Sequence, residues 1–135
     1  MNAGDTFRLS SSETSWRPYI VVSNPTVDPN SVLIVSLVLS TSDYGEQDRA
    51  CVLLAGEHPI CPTESCIGYH WAKNVNISGL QNGVRTREVS IEDPLDEKLL
   101  FRVRLGFFRS VHSKPKHRDI LLAQGFEAEY RPGDV

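Results

Sequence analysis

Four histidines, an arginine set directly before a proline, and a short hydroxyl cluster are the residues of this chain equipped for chemistry. Imidazole exchanges protons near neutral pH, so His58, in Gly56-Glu57-His58-Pro59, and His70, between Tyr69 and Trp71, are the natural proton carriers. His58 has a second reading, as a turn residue that bonds local backbone and holds the turn. His112 and His117 flank a basic segment and read as solvated. Arg17 precedes Pro18, and a guanidinium's planar fork grips two oxygens of a phosphoryl or carboxylate group. Its partner is then either a ligand or one of Glu13, Asp43 and Asp48. Ser36 interrupts the longest apolar run, where a hydroxyl needs a partner or lines a cleft. Trp16, Tyr44, Tyr69 and Trp71 offer ring faces that stack bases in single-strand readers, or that fill a core or dimer interface.

The three cysteines do not suggest further chemistry. Cys61 and Cys66 are too widely spaced for a CxxC pair, and an odd count argues against a disulfide framework. No metal site is expected from these spacings. Asn76-Ile77-Ser78 matches a glycosylation sequon, which has no meaning in the cytosol. The formal net charge is −3, yet the stretch from Lys98 to Arg118 holds seven Lys/Arg and no acid. Such a segment is an anion-binding surface or the solvated face of a helix. The chain has no apolar run of the roughly 18–20 residues that cross a bilayer, and its first residues have no basic start followed by an apolar stretch. A cytoplasmic protein with no membrane contact is expected.

The elements that must position these groups are mainly β. At 135 residues the chain fits one domain, taken as residues 1–126 with 127–135 as a tail. Thr6–Leu9, Tyr19–Val22, Val32–Leu39, Ala50–Leu54 and Ile67–Trp71 read as strands. Asn82-Gly83 reads as a hairpin turn, with Val84–Ile91 as the returning strand. Asp93 and Pro94 then offer an N-cap and first-turn proline. In the helix that follows, Leu99, Leu100, Val103, Phe107 and Val111 fall on a core-facing arc. Phe101, Leu105 and Phe108 form a second apolar side, which points to a homodimer. A short terminal helix is expected over 118–124, stopped by Gly125.

Several of these features occur in a fixed order. They are Gly4-Asp5, Arg17-Pro18 before a β-branched strand, and the run Val32–Leu39 ending in Ser/Thr. Ala55-Gly56-Glu57-His58-Pro59 and Ser65-Cys66-Ile67-Gly68-Tyr69 follow them. Over about residues 4–124 the chain resembles the MazF/PemK family, the toxins of type II toxin–antitoxin systems. The resemblance implies a mainly β (α+β) fold, a small SH3-like barrel shared with CcdB, carrying a C-terminal helix and a short terminal helix. It also implies a metal-independent, cofactor-free endoribonuclease that cuts single-stranded RNA by attack of the ribose 2′-OH, held in check by an antitoxin protein. Arg17 then holds the phosphate, with Ser40, Thr41 and His58 as further catalytic candidates. The position that follows the third strand in the family falls on Leu39, Ser40 or Thr41. Ser36, Trp16, Tyr69 and His70 are the RNA-facing candidates. The alternative is a catalytically silent member of the MazF/CcdB fold that binds a protein or nucleic acid.

Overall fold

The computed structural model describes residues 1–10 and 18–126. Arg17, Trp16 and Glu13 therefore lie outside the described residues, as does the tail 127–135.

The longest apolar run forms β3 (Val32–Leu39), the strand around which the fold is built. Period-two alternation sends Leu33, Val35 and Leu37 into one core and Val32 and Ile34 into another. A strand buried on both faces needs cover on both, and helices supply it. The chain runs β1 (Thr6–Leu9), β2 (Pro18–Val21), β3, α1 (Asp43–Gln47), β4 (Val52–Leu53) and β5 (Ser65–Ile67). A 3₁₀ turn (Tyr69–Trp71), β6 (Lys73–Val75), α2 (Ile77–Thr86), β7 (Val89–Glu92), α3 (Glu97–Arg109) and α4 (Pro115–Ala123) follow. The first core is closed by Leu99, Val103 and Phe107 of α3 and Leu121 of α4; the second takes Leu80 of α2.

All the strand pairings are antiparallel, in the order β4-β5-β3-β2-β1-β7, with β6 also on β3. Among the described residues no pairing joins β7 back to β4, so the sheet is open. The fold is α+β, with more helix than the expected β-first, helix-last order. β3 is paired on both edges: β2 lies along Ile34–Ser36 on one, while β6 along Val32–Ile34 and β5 along Leu37–Leu39 share the other. Among the described residues no strand pairs with Leu37–Leu39 on the β2 edge.

Four expectations are corrected. Asn82-Gly83 is not a hairpin turn but the middle of α2. Asn76 caps this helix by accepting from Ser78 N–H, and Arg87 ends it in the left-handed region (φ 66°). The expected strand over 67–71 ends at Ile67 and tightens into the 3₁₀ turn. The cap of α3 is Asp96, whose carboxylate accepts from Leu99 N–H at 2.8 Å, rather than Asp93. Val111 lies beyond the end of α3 and is 88% exposed, so it is no part of the core arc.

The second apolar side of α3 is partly covered by its own chain. Phe126 packs on Phe101 at 5.6 Å and on Phe108 at 5.7 Å, leaving Phe101 45% exposed. α4 begins at Pro115, earlier than expected, because proline suits the first helical position. His117 is a correction too. It is 1% exposed, lies edge-on to Phe107, and neither ring nitrogen has a hydrogen-bond partner. No described helix is long and apolar enough to cross a membrane.

Candidate functional site

At the Leu37–Leu39 end of β3 lies a groove of about 740 Å³. Leu37, Val38 and Leu39 line it together with Arg8 and Pro18 and with Ser42, Asp43, Tyr44 and Trp71. Pro18 is the residue that follows Arg17 in the chain.

The Tyr44 wall follows from local sequence. Ser42 caps α1: its hydroxyl accepts from Gly45 N–H at 3.0 Å and donates to the Leu39 carbonyl at 2.6 Å. The short helix is thereby pressed onto the end of β3. A Cβ at residue 45 would lie 2.2 Å from the Leu39 oxygen, so only glycine allows this approach. Tyr44 and Asp48 stand one turn apart on α1, and the phenol donates to the Asp48 carboxylate at 2.6 Å. Ser110, the residue that ends α3, donates to the same oxygen at 2.6 Å, and Ala50 N–H donates to the other at 3.3 Å. Three donors hold a buried carboxylate, as a desolvated charge requires. Burial, and then the bond to Asp48, push the Tyr44 phenol well above its ordinary range. Tyr44 remains a neutral donor anchored to a negative group.

Around this anchored ring sit three others. Trp71 packs on Tyr44 at 4.6 Å, His112 at 5.2 Å and His70 at 6.4 Å, and the backbone N–H of His70 donates to the Tyr44 hydroxyl at 3.0 Å. The 3₁₀ turn makes this possible. With three residues per turn, it sends Tyr69 inward while His70 and Trp71 point out.

The expected site residues separate accordingly. Tyr69 is corrected from an RNA-facing residue to a core residue: it has no exposed surface, and its hydroxyl donates to the Val103 carbonyl at 2.8 Å. His58 is buried and spent on backbone. Its Nδ1 accepts from Ile60 N–H at 3.2 Å, so Nε2 carries the proton and donates to the Pro94 carbonyl at 3.0 Å. Ser40 is buried and donates to Glu64 at 2.6 Å, with Arg49 3.7 Å from the same carboxylate oxygen. Ser36 is buried on β3 opposite Tyr19. Thr41 is exposed, between the groove residues Leu39 and Ser42. His70 is exposed in the aromatic cluster.

Asp48, Arg8 and His112 escaped the sequence reading as site residues. Asp48 and Tyr44 were legible as an i,i+4 pair once the Ser42 cap is recognised. Arg8 lies 3.3 Å from Glu92, a diagonal neighbour on β7 two residues from its register partner Ser90. The three thiols are buried, and burial pushes Cys51 up to about 11. Among the described residues no group of three or more His, Cys, Asp or Glu is placed to hold a metal. Comparison with protein-family models, curated proteins and solved structures finds no match for this chain.

Proposed function

We propose that this chain is a MazF/PemK-like toxin: a metal-independent endoribonuclease that binds single-stranded RNA in the β2–β3 groove and is restrained by an antitoxin. The observation that carries the reading is the groove itself. Its 740 Å³ takes a nucleotide-sized group, Tyr44 and Trp71 supply stacking faces, and Pro18 sets its wall next to Arg17 in sequence. In this reading the open sheet is a barrel of the SH3-like kind, with β3 as the strand shared between its two halves. The protein acts in the cytoplasm as a homodimer through the part of Phe101 that Phe126 leaves exposed.

In the reaction, the ribose 2′-oxygen forms a bond to phosphorus as the bond to the 5′-oxygen breaks. The products are a cyclic phosphate and a free 5′-hydroxyl. The Arg17 fork neutralises the phosphoryl oxygens as charge builds on them, where fixed donors act most strongly. Thr41 is exposed beside the groove-lining Ser42 in sequence and takes precedence over Ser40, whose proton is given to Glu64.

A second reading, the catalytically silent binding module, is favoured by the engagement of Ser40 and His58 within the fold. Single-stranded RNA binding, followed by the fluorescence anisotropy of an end-labelled RNA, tests the groove in either case. Trp71→Ala or Tyr44→Ala should weaken binding about 5- to 150-fold, in line with about 1–3 kcal/mol per stacked base. Unchanged affinity in both variants would remove RNA from this groove.

A further inference from the structure

The four histidines divide cleanly by what their rings do. His58 has both nitrogens on backbone atoms, and His117 is enclosed without a partner. His70 and His112 alone remain. Among the described residues neither of their imidazoles makes a hydrogen bond; each uses only its backbone N–H, towards the Tyr44 hydroxyl and the Ser110 hydroxyl respectively. His70 is exposed and His112 half-buried. Their rings lie 6.3 Å apart, nearly perpendicular at 86°, and both pack against Tyr44, a wall of the groove.

Two free imidazoles at that separation are a proton donor and acceptor for one phosphodiester. Each nitrogen has to reach within about 2.6–3.2 Å of its oxygen. The 2′-oxygen and 5′-oxygen flank a single phosphorus and lie about 3.5 Å apart, so rings 6.3 Å apart can each bring a nitrogen within hydrogen-bond reach of one of them. We propose that His70 and His112 are the catalytic proton-transfer pair of this protein, a role that rests on the endoribonuclease reading above. One neutral imidazole takes the 2′-hydroxyl proton as the oxygen–phosphorus bond forms. The other, protonated, gives its proton to the 5′-oxygen as that bond breaks. The two histidines end with one proton between them, as they began, and no further reactant is consumed. The groups facing the pair are each other, the Trp71 ring on His70, the neutral Tyr44 phenol and, behind it, the Asp48 carboxylate. Asp48 fixes Tyr44, and Tyr44 fixes the spacing of the pair; both are positioning residues.

The test uses the full chain with His70→Gln, His112→Gln and the double variant. Cleavage of single-stranded RNA in EDTA and RNA affinity are measured from pH 5 to pH 9. The wild type should give a bell-shaped rate profile. Each single variant should lose about 10²- to 10⁴-fold in the cleavage step, with one limb of the bell flattened and RNA affinity held within about threefold. A substrate with sulfur in place of the 5′-oxygen needs no proton on leaving. It should restore the variant that lacks the acid and leave the other slow, an effect that a purely structural histidine would not produce. Wild type that cuts while both single variants cut within threefold of it overturns the pair and spares the endoribonuclease reading. Folded wild type that binds RNA and cuts none overturns both.

Discussion

Replacing Gly106 with alanine tests the packing of α3 on the sheet more severely than any change at the surface. A Cβ at 106 would lie 1.7 Å from the Tyr69 hydroxyl, 2.4 Å from Cζ and 2.9 Å from Cε2. Tyr69 has nowhere to retreat. It is wholly buried, meets Phe107 edge-on at 4.7 Å, and its hydroxyl is committed to Val103. Helix propensity favours alanine by about 0.8–1.0 kcal/mol. Against this stand overpacking of a full core, about 1–3 kcal/mol, and the tyrosine hydrogen bond, about 0.5–1.5 kcal/mol. The opposing effects leave a net loss of about 1–3 kcal/mol. At about 3–4 °C per kcal/mol for a chain of this size, the Tm should fall by about 3–12 °C.

Urea and thermal unfolding measure the loss, with Gly79→Ala as the control. Nothing lies within 4 Å of a Cβ at 79, in the exposed part of α2. There the same substitution should stabilise by about 0.4–1 kcal/mol. Adding Tyr69→Phe to Gly106→Ala removes the shortest contact, so the double variant should be more stable than the sum of the single effects. A Gly106→Ala protein as stable as wild type, or a strictly additive double variant, would refute the packing argument.

Three other outcomes follow from buried polar groups. Burial, then Lys116 and Lys114, push the His117 imidazole from 6.5 down to about 4. The unfolded chain therefore takes up this proton first. The contribution of His117 is intact above pH 6.5 and fades as pH falls to about 4. That loss is on the order of 3 kcal/mol. His117→Leu should flatten the acid limb of a stability–pH curve, and an unchanged limb would contradict the burial. Asp48→Ala leaves the Tyr44 and Ser110 hydroxyls without their acceptor and should cost about 2–4 kcal/mol in urea unfolding. It should also lower the cleavage rate by loosening Tyr44. His58→Ala strands the Ile60 N–H and the Pro94 carbonyl. It should cost about 1–3 kcal/mol of stability while RNA affinity stays at the wild-type value; a selective loss of affinity would return His58 to the site.

The strands were legible where β-branched and aromatic residues cluster, as in β2 and β3, because burial on both faces writes itself into composition. α3 was legible from its 3.6-residue period. α2 was not, because Asn82-Gly83 is a strong local turn signal. The competing pattern of Ile77, Leu80 and Gly83 against β7 shows only once that strand is in place. Asn76 was read as part of a sequon, although its side chain is the cap of that helix. At the site, a strand over 67–71 would put Tyr69 and Trp71 on one face with His70 opposite; the 3₁₀ turn divides them otherwise. Which histidines keep free nitrogens depended on contacts distant in sequence, such as His58 with Pro94, and no spacing encodes these.

The most direct measurement is cleavage of a mixed-sequence single-stranded RNA by the purified protein in EDTA, wild type beside Arg17→Ala. Cleavage should survive chelation, leave cyclic phosphate and 5′-hydroxyl ends, and be lost in the variant. Intact RNA after incubation with folded wild type, or equal cleavage by Arg17→Ala, would contradict the endoribonuclease reading.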